Sequence, residues 1–105
     1  MEDFLKTVAA LKDETRIKIL KFILTYDNIC VCELEASFNM LQSRLSRHLK
    51  ILKESGFLNS KREGKKVIFS IEKNPENFRK CALEEIKRLN ISLPPFKNCS
   101  ASKEE

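Results

Sequence analysis

Two cysteines one residue apart, Cys30 and Cys32, stand in the stretch NICVCELEASF (residues 28–38), at the start of what reads as a short helix. Thiolates are soft ligands that select soft ions, and thiols are also the side chains most readily used in redox chemistry. Helical positions two apart do not face each other, so packing on one face does not explain the pair. A Cys-x-Cys bridge would close almost no loop and constrain little. Of the other two cysteines, Cys81 falls in an apolar helical pattern and reads as a small buried hydrophobe, and Cys99 lies in a polar tail.

A second set of residues with chemical potential is basic. Residues 41–66 contain Arg44, Arg47, Lys50, Lys53, Lys61, Arg62, Lys65 and Lys66 against Glu54 and Glu63, a local charge of +6 in a chain whose total is +5. A basic block in an otherwise balanced small domain points to a polyanion.

The elements that must position these groups follow from periodicity. Phe4, Leu5, Val8 and Leu11 give a short amphipathic helix over residues 3–11. Asp13 is placed to cap a second helix with Ile17, Leu20, Ile23 and Leu24 turned inward, interrupted at Asp27 and Asn28. A third helix opens near Asn28, with Val31, Leu34 and Phe38 inward, and turns at Asn39. The fourth, over residues 41–54, buries Leu45, Leu49 and Leu52 and stops at Gly56, leaving Ser43, Arg47 and Lys50 outward, flanked by Gln42, Arg44 and Ser46. Residues 57–62 and 66–71 read as two strands around a tight turn at Glu63 and Gly64. Asn74 and Pro75 suit the start of a last helix whose stripe is Phe78, Ala82, Ile86 and Leu89.

A short helix, a turn, a second helix with a basic outer face and then a basic hairpin form a winged helix-turn-helix. The expected fold is therefore mainly α with a small β-hairpin. The fourth helix suits the major groove of double-stranded DNA, where Gln42, Ser43, Ser46 and Arg47 can reach base edges, with Arg44 beside them as a further DNA-binding residue. Lys50 and Lys53, with Arg62, Lys65 and Lys66 of the wing, suit phosphates, which add affinity without sequence information. His48 is the only histidine and sits beside the leucine face, a setting for a hydrogen-bonded structural role. No Gly-rich phosphate loop, second histidine or suitably spaced carboxylate pair suggests an enzyme.

At 105 residues the chain suits one domain, here residues 1–90, followed by a loosely held tail over 91–105 with Pro94, Pro95 and the polar end ASKEE. A mean hydropathy of −0.35 and 33% charged residues exclude an integral membrane protein. No apolar run approaches the roughly 20 residues of a membrane span, and MEDFLKT begins acidic where a secretory signal begins basic, so a cytoplasmic location is expected.

The span from Ala10 to Ile71, with ALKDETRIKILKFIL, ICVCEL, LSRHLKILKESGFL and REGKKVIFSI in that order, resembles the ArsR/SmtB family of bacterial metal- and metalloid-responsive repressors. ICVCEL resembles the CVCDL motif of the arsenic-responsive branch. The resemblance implies a homodimeric repressor whose first and last helices form the dimer interface, giving the stripes of Phe4, Val8, Phe78 and Leu89 a partner. It also implies an inducer, As(III) or Sb(III), taken by Cys30 and Cys32, and no organic cofactor. In that branch a third cysteine commonly follows the second by three residues; here that position is Glu35. Cys99, Cys81 from either subunit, or a small external thiol are then candidates for a third ligand. Cadmium- and lead-responsive relatives use N-terminal cysteines, and residues 1–29 contain none. Zinc- and nickel-type relatives use histidines on the last helix, and Arg79 to Asn90 contain none.

Regular helix geometry would hold the two sulfurs apart, so joining them on one ion is expected to unwind the start of the third helix and to oppose DNA binding. The alternative keeps the fold and makes the chain a thiol-redox or persulfide sensor, with Cys30 or Cys32 oxidised against Cys81. A further alternative is a dimeric protein-interaction module whose basic face meets an acidic partner.

Overall fold

The computed structural model describes residues 1–98. Its elements follow in the order α1 (Glu2–Ala10), α2 (Glu14–Tyr26), β1 (Ile29–Cys30), α3 (Val31–Phe38), α4 (Gln42–Glu54), β2 (Leu58–Glu63), β3 (Lys66–Ile71) and α5 (Asn77–Arg88). This is a mostly helical chain with a small antiparallel sheet of order β1-β3-β2.

α2 is the central helix. Asp13 caps it as expected, its Oδ1 accepting the backbone N–H of Thr15 at 2.8 Å and of Arg16 at 3.2 Å. Asp27 and Asn28 end it at positive φ, 62° and 22°, which short polar side chains tolerate better than most. Because α2 packs against α4, α5 and β3, its buried surface is wider than a single stripe. Ile19 and Phe22 are fully buried along with Leu20 and Ile23, while Ile17 and Leu24 are only half-buried. Leu34 of α3, the leucines Leu45, Leu49 and Leu52 of α4, Phe57, Leu58, Leu83 and Ile86 complete the core.

Three boundaries differ from the sequence expectation. α3 opens at Val31 rather than near Asn28, because Ile29 and Cys30 form a short strand paired with Phe69 and Ile68 of β3. The hairpin turn is Gly64–Lys65 rather than Glu63–Gly64, since Glu63 still pairs with Lys66, and Gly64 supplies the positive φ of 64° that the turn requires. α5 begins at Asn77 and buries Leu83 and Ile86. Cys81 lies two positions from Leu83, about 200° around the helix, and is exposed rather than buried.

α1 and α5 leave an apolar surface uncovered in the single chain. The rings of Phe4 and Phe78 meet at 5.2 Å, and Phe4, Leu5, Phe78 and Leu89 are all exposed. Beyond α5 the chain is irregular, yet it touches the body: Leu93 packs against the core, and Phe96 lies against Phe22 and Tyr26. No helix among the described residues is long and apolar enough to cross a membrane.

Candidate nucleic-acid interface and cysteine pair

Gln42, Ser43, Arg44, Ser46, Arg47 and Lys50 all sit on the exposed side of α4, opposite Leu45, Leu49 and Leu52. Arg62 near the end of β2, Lys65 in the turn and Lys66 at the start of β3 are likewise exposed. Lys53 is tied to the wing through a 2.6 Å hydrogen bond from its Nζ to Ser60 Oγ. Helix and hairpin thus form one basic face, with side chains of the lengths that groove and phosphate contacts demand.

The buried side of α4 is fixed by two arginines. Arg16 of α2 donates from Nε to the carbonyl of Ala10 at 2.8 Å and from Nη1 to His48 Nδ1 at 3.2 Å. A guanidinium can only donate, so Nδ1 is the acceptor and the neutral ring carries its proton on Nε2. Burial holds the His48 pKa below the ordinary histidine value; Asp13 opposes that shift, and the charges of Arg16, Arg44 and Arg47 reinforce it. Burial also pushes the Asp13 carboxyl upward, but its hydrogen bonds from Arg16 and Thr15 and the positive charges nearby leave it below the usual carboxylate value.

At the C-terminal end of α4, Arg79 of α5 donates from Nε to the carbonyl of Ser55 at 2.7 Å and from Nη2 to Thr7 Oγ1 at 3.1 Å. Its charge sits at the C-terminus of α4, where the helix dipole favours a cation. Gly56, at φ 87°, leaves room for it: a Cβ there would meet Arg79 Nε at 2.5 Å. Sequence reading gave His48 its structural role but missed both arginines. Their partners lie as far as 32 and 72 residues away, and no local pattern marks them.

The cysteine pair overturns one geometric expectation. Cys30 is not a helical residue; it is the extended N-cap of α3, at φ −83° and ψ 157°, and its backbone N–H donates to Glu33 Oε1 at 3.1 Å. The extended cap turns its side chain toward that of Cys32, and the sulfurs lie 3.6 Å apart. Two sulfurs on one tetrahedral ion, with metal–sulfur bonds of about 2.3 Å, sit about 3.8 Å apart. The separation of the two sulfurs is therefore close to that of two thiolates on one soft ion and needs no unwinding of α3.

The sulfurs open onto a cleft of about 700 Å³ bounded by Cys30, Cys32 and Glu35 on one side, Gln42, Ser46 and Lys50 on another, and Lys65 and Lys66 on a third. The structure thus brings the two cysteines together with part of the basic set, while Arg44, Arg47 and Arg62 lie outside that cleft. Cys81 is on α5, exposed, and Cys99 lies outside the described residues. Among the described residues no group of three or more His, Cys, Asp and Glu side chains is arranged to hold a metal ion.

The fold and its basic face define a winged helix-turn-helix protein. Residues 13–60 match the family of bacterial regulatory proteins of the arsR family. An uncharacterised HTH-type transcriptional regulator of Methanocaldococcus jannaschii is 34% identical over 67 residues, 61% of this chain and 75% of that protein. The chain belongs to the arsR family, whose members are transcription regulators rather than enzymes. An arsenic resistance transcriptional regulator of Pseudomonas putida is 39% identical over 67 residues, 64% of this chain and 56% of that protein. A cadmium resistance transcriptional regulatory protein of Staphylococcus aureus is 33% identical over 70 residues, 67% of this chain and 58% of that protein. The chain spans about half the length of these two curated relatives. Among solved structures, reduced HlyU from Vibrio cholerae superimposes with a TM-score of 0.71 at 26% identity, covering 87% of this chain and 92% of that one.

Proposed function

We propose that this chain is a metalloid-responsive repressor that binds double-stranded operator DNA as a homodimer in the cytoplasm and is released when Cys30 and Cys32 take trivalent arsenic or antimony. The observation that carries the reading is the shared cleft: two sulfurs 3.6 Å apart line the same recess as Gln42, Ser46 and Lys50 of α4 and Lys65 and Lys66 of the wing. The relative named for arsenic resistance supports the choice of inducer. In the reduced protein the thiols supply two soft donors on one side of an ion, the arrangement a pyramidal centre requires.

Coupling to DNA follows from connectivity. Cys30 is part of β1, and β1 is hydrogen-bonded to β3, the strand that begins with the wing residue Lys66. A change in the side-chain positions of Cys30 and Cys32 is passed to the wing through that ladder and to α4 across the cleft. A coupling of about 3 kcal/mol weakens DNA binding by more than a hundredfold. The exposed Phe4, Leu5, Phe78 and Leu89 supply the dimer surface, and a two-fold protein calls for half-sites about 34 Å apart or a multiple of that.

The test is a fluorescence-anisotropy titration of arsenite into the reduced protein bound to a labelled promoter fragment, with Cys30→Ser/Cys32→Ser in parallel. Release of the wild type alone is expected; retention of both on DNA would remove the metalloid from the mechanism. Arg47→Ala should reduce discrimination between operator and unrelated DNA by about 1–3 kcal/mol if Arg47 reads a base. A thiol-redox signal on the same fold is the second reading, favoured by the contact between the two sulfurs. Release by a mild oxidant and not by arsenite would select it.

A further inference from the structure

The cleft bounded by α3, α4 and the wing has an apolar lining that the DNA reading leaves unused. Leu49 of α4 and Phe69 of β3 are buried in its wall, and Val31 of α3 and Val67 of β3 are half-buried beside them. A phosphate oxygen is not stabilised by apolar carbon. Lys50, Lys53, Lys65 and Lys66, all exposed, line the same cleft, and Glu35 is the single carboxylate among the described residues that does. Lys53 gives its Nζ to Ser60, and none of the four lysines forms an ion pair among the described residues. At about 700 Å³ the recess lies within the roughly 300–1,000 Å³ that small-molecule sites occupy, and such sites pair an apolar lining with a few polar groups.

We propose that this cleft is a site for a second kind of effector, an amphipathic organic anion, whose apolar body lies against Leu49, Val67 and Phe69 and whose carboxylate meets the lysines of α4 and the wing. A wholly apolar molecule leaves the charge unused, and a cation meets four ammonium groups against one carboxylate. The sulfurs of Cys30 and Cys32 take no part, so the site stands whether or not they bind a metalloid. Lys50, Lys65 and Lys66 are the same side chains that suit DNA phosphates, and a carboxylate bound among them neutralises charge that the phosphates need. Anion and operator therefore oppose each other. By linkage, each weakens the binding of the other by the same factor.

The test uses the reduced full-length protein, uniformly isotope-labelled, titrated with octanoate and followed through its amide chemical shifts. Acetate carries the charge without the apolar body, and octyltrimethylammonium carries the body with the opposite charge. Saturable shifts at Val31, Leu49, Val67 and Phe69 with octanoate, and with neither control, are expected. Shifts centred on the exposed Phe4, Leu5 and Phe78, equal shifts with the cationic control, or no shift with octanoate would overturn the site. Lys50→Gln and Lys66→Gln should each weaken octanoate binding by about fivefold, and Glu35→Gln should tighten it by about as much. Lys12→Gln, at an exposed lysine outside the cleft, should leave it unchanged. Equal affinity across all four variants would defeat the role given to charge. With labelled promoter DNA bound, octanoate should release the DNA where acetate at the same concentration does not. Octanoate held in the cleft with the DNA retained would overturn the opposition between the two.

Discussion

α3 and α4 are consecutive helices joined by a short turn, yet different forces hold them. α4 is fixed from behind by directional polar bonds at its middle and at its C-terminal cap, through Arg16 to His48 and through Arg79 to the Ser55 carbonyl. α3, only eight residues long, packs through the buried Leu34 and the ring of Phe38, with polar bonds at its N-cap from the Cys30 N–H to Glu33 and near its end from the Lys97 N–H to Ser37. Hydrogen bonds through a guanidinium fork fix distance and angle together, whereas ring contacts and apolar burial tolerate sliding. The basic helix is thus tied to α2 and α5 by charged donors, while the polar bonds named on the cysteine-bearing helix involve no guanidinium. That is the division of labour expected of a reader and a sensor.

The largest effect should come from removing the hub on the α3 side. Phe22→Ala is expected to cost about 3–5 kcal/mol in urea unfolding, since a fully buried ring is lost and Tyr26, Phe38 and Phe96 lose their common partner. Arg79→Met should cost less, about 1–3 kcal/mol, for leaving the Ser55 carbonyl and Thr7 Oγ1 short of a donor. Its sharper signature is functional: DNA affinity should fall while arsenite binding stays unchanged. If Arg79→Met instead shifts arsenite binding and spares DNA, the contrast between the helices is wrong.

The smallest effect is in pH. His48 has a depressed pKa when folded, so the unfolded chain binds its proton first as pH falls. Stability from this group is fully present above the ordinary histidine value of 6.5 and is lost as pH falls from there through the folded pKa. His48→Gln should flatten that part of a stability-against-pH curve and, by removing one of the positive charges that lower the Asp13 pKa, shrink the more acidic part where Asp13 protonates.

Much of this was legible because it is local. The Asp13 cap, the Leu45, Leu49 and Leu52 stripe, the hairpin and the basic outer face of α4 each depend on residues within a few positions of one another. What escaped was set by neighbours in space. Ile29 and Cys30 are too few to show a strand's period, and only β3 makes them one. Missing that strand made Cys30 look helical, and from there the two sulfurs looked unable to meet. The exposure of Cys81 depends on which side of α5 faces α2, a choice that a mixed apolar pattern does not decide. Arg16 and Arg79 carry no mark of their distant partners.

The position of Cys30 at a helix cap bears on how such a sensor is acquired and lost. Caps are where helices ordinarily carry serine, threonine, aspartate or asparagine, so replacing Cys30 by serine keeps the backbone conformation and a side chain suited to it. If Cys30 is an inducer ligand as proposed, one codon change adds or erases the response without dismantling the winged helix-turn-helix body. Descendants of one ancestral chain can in this way keep the same reader while drifting between sensing and silence.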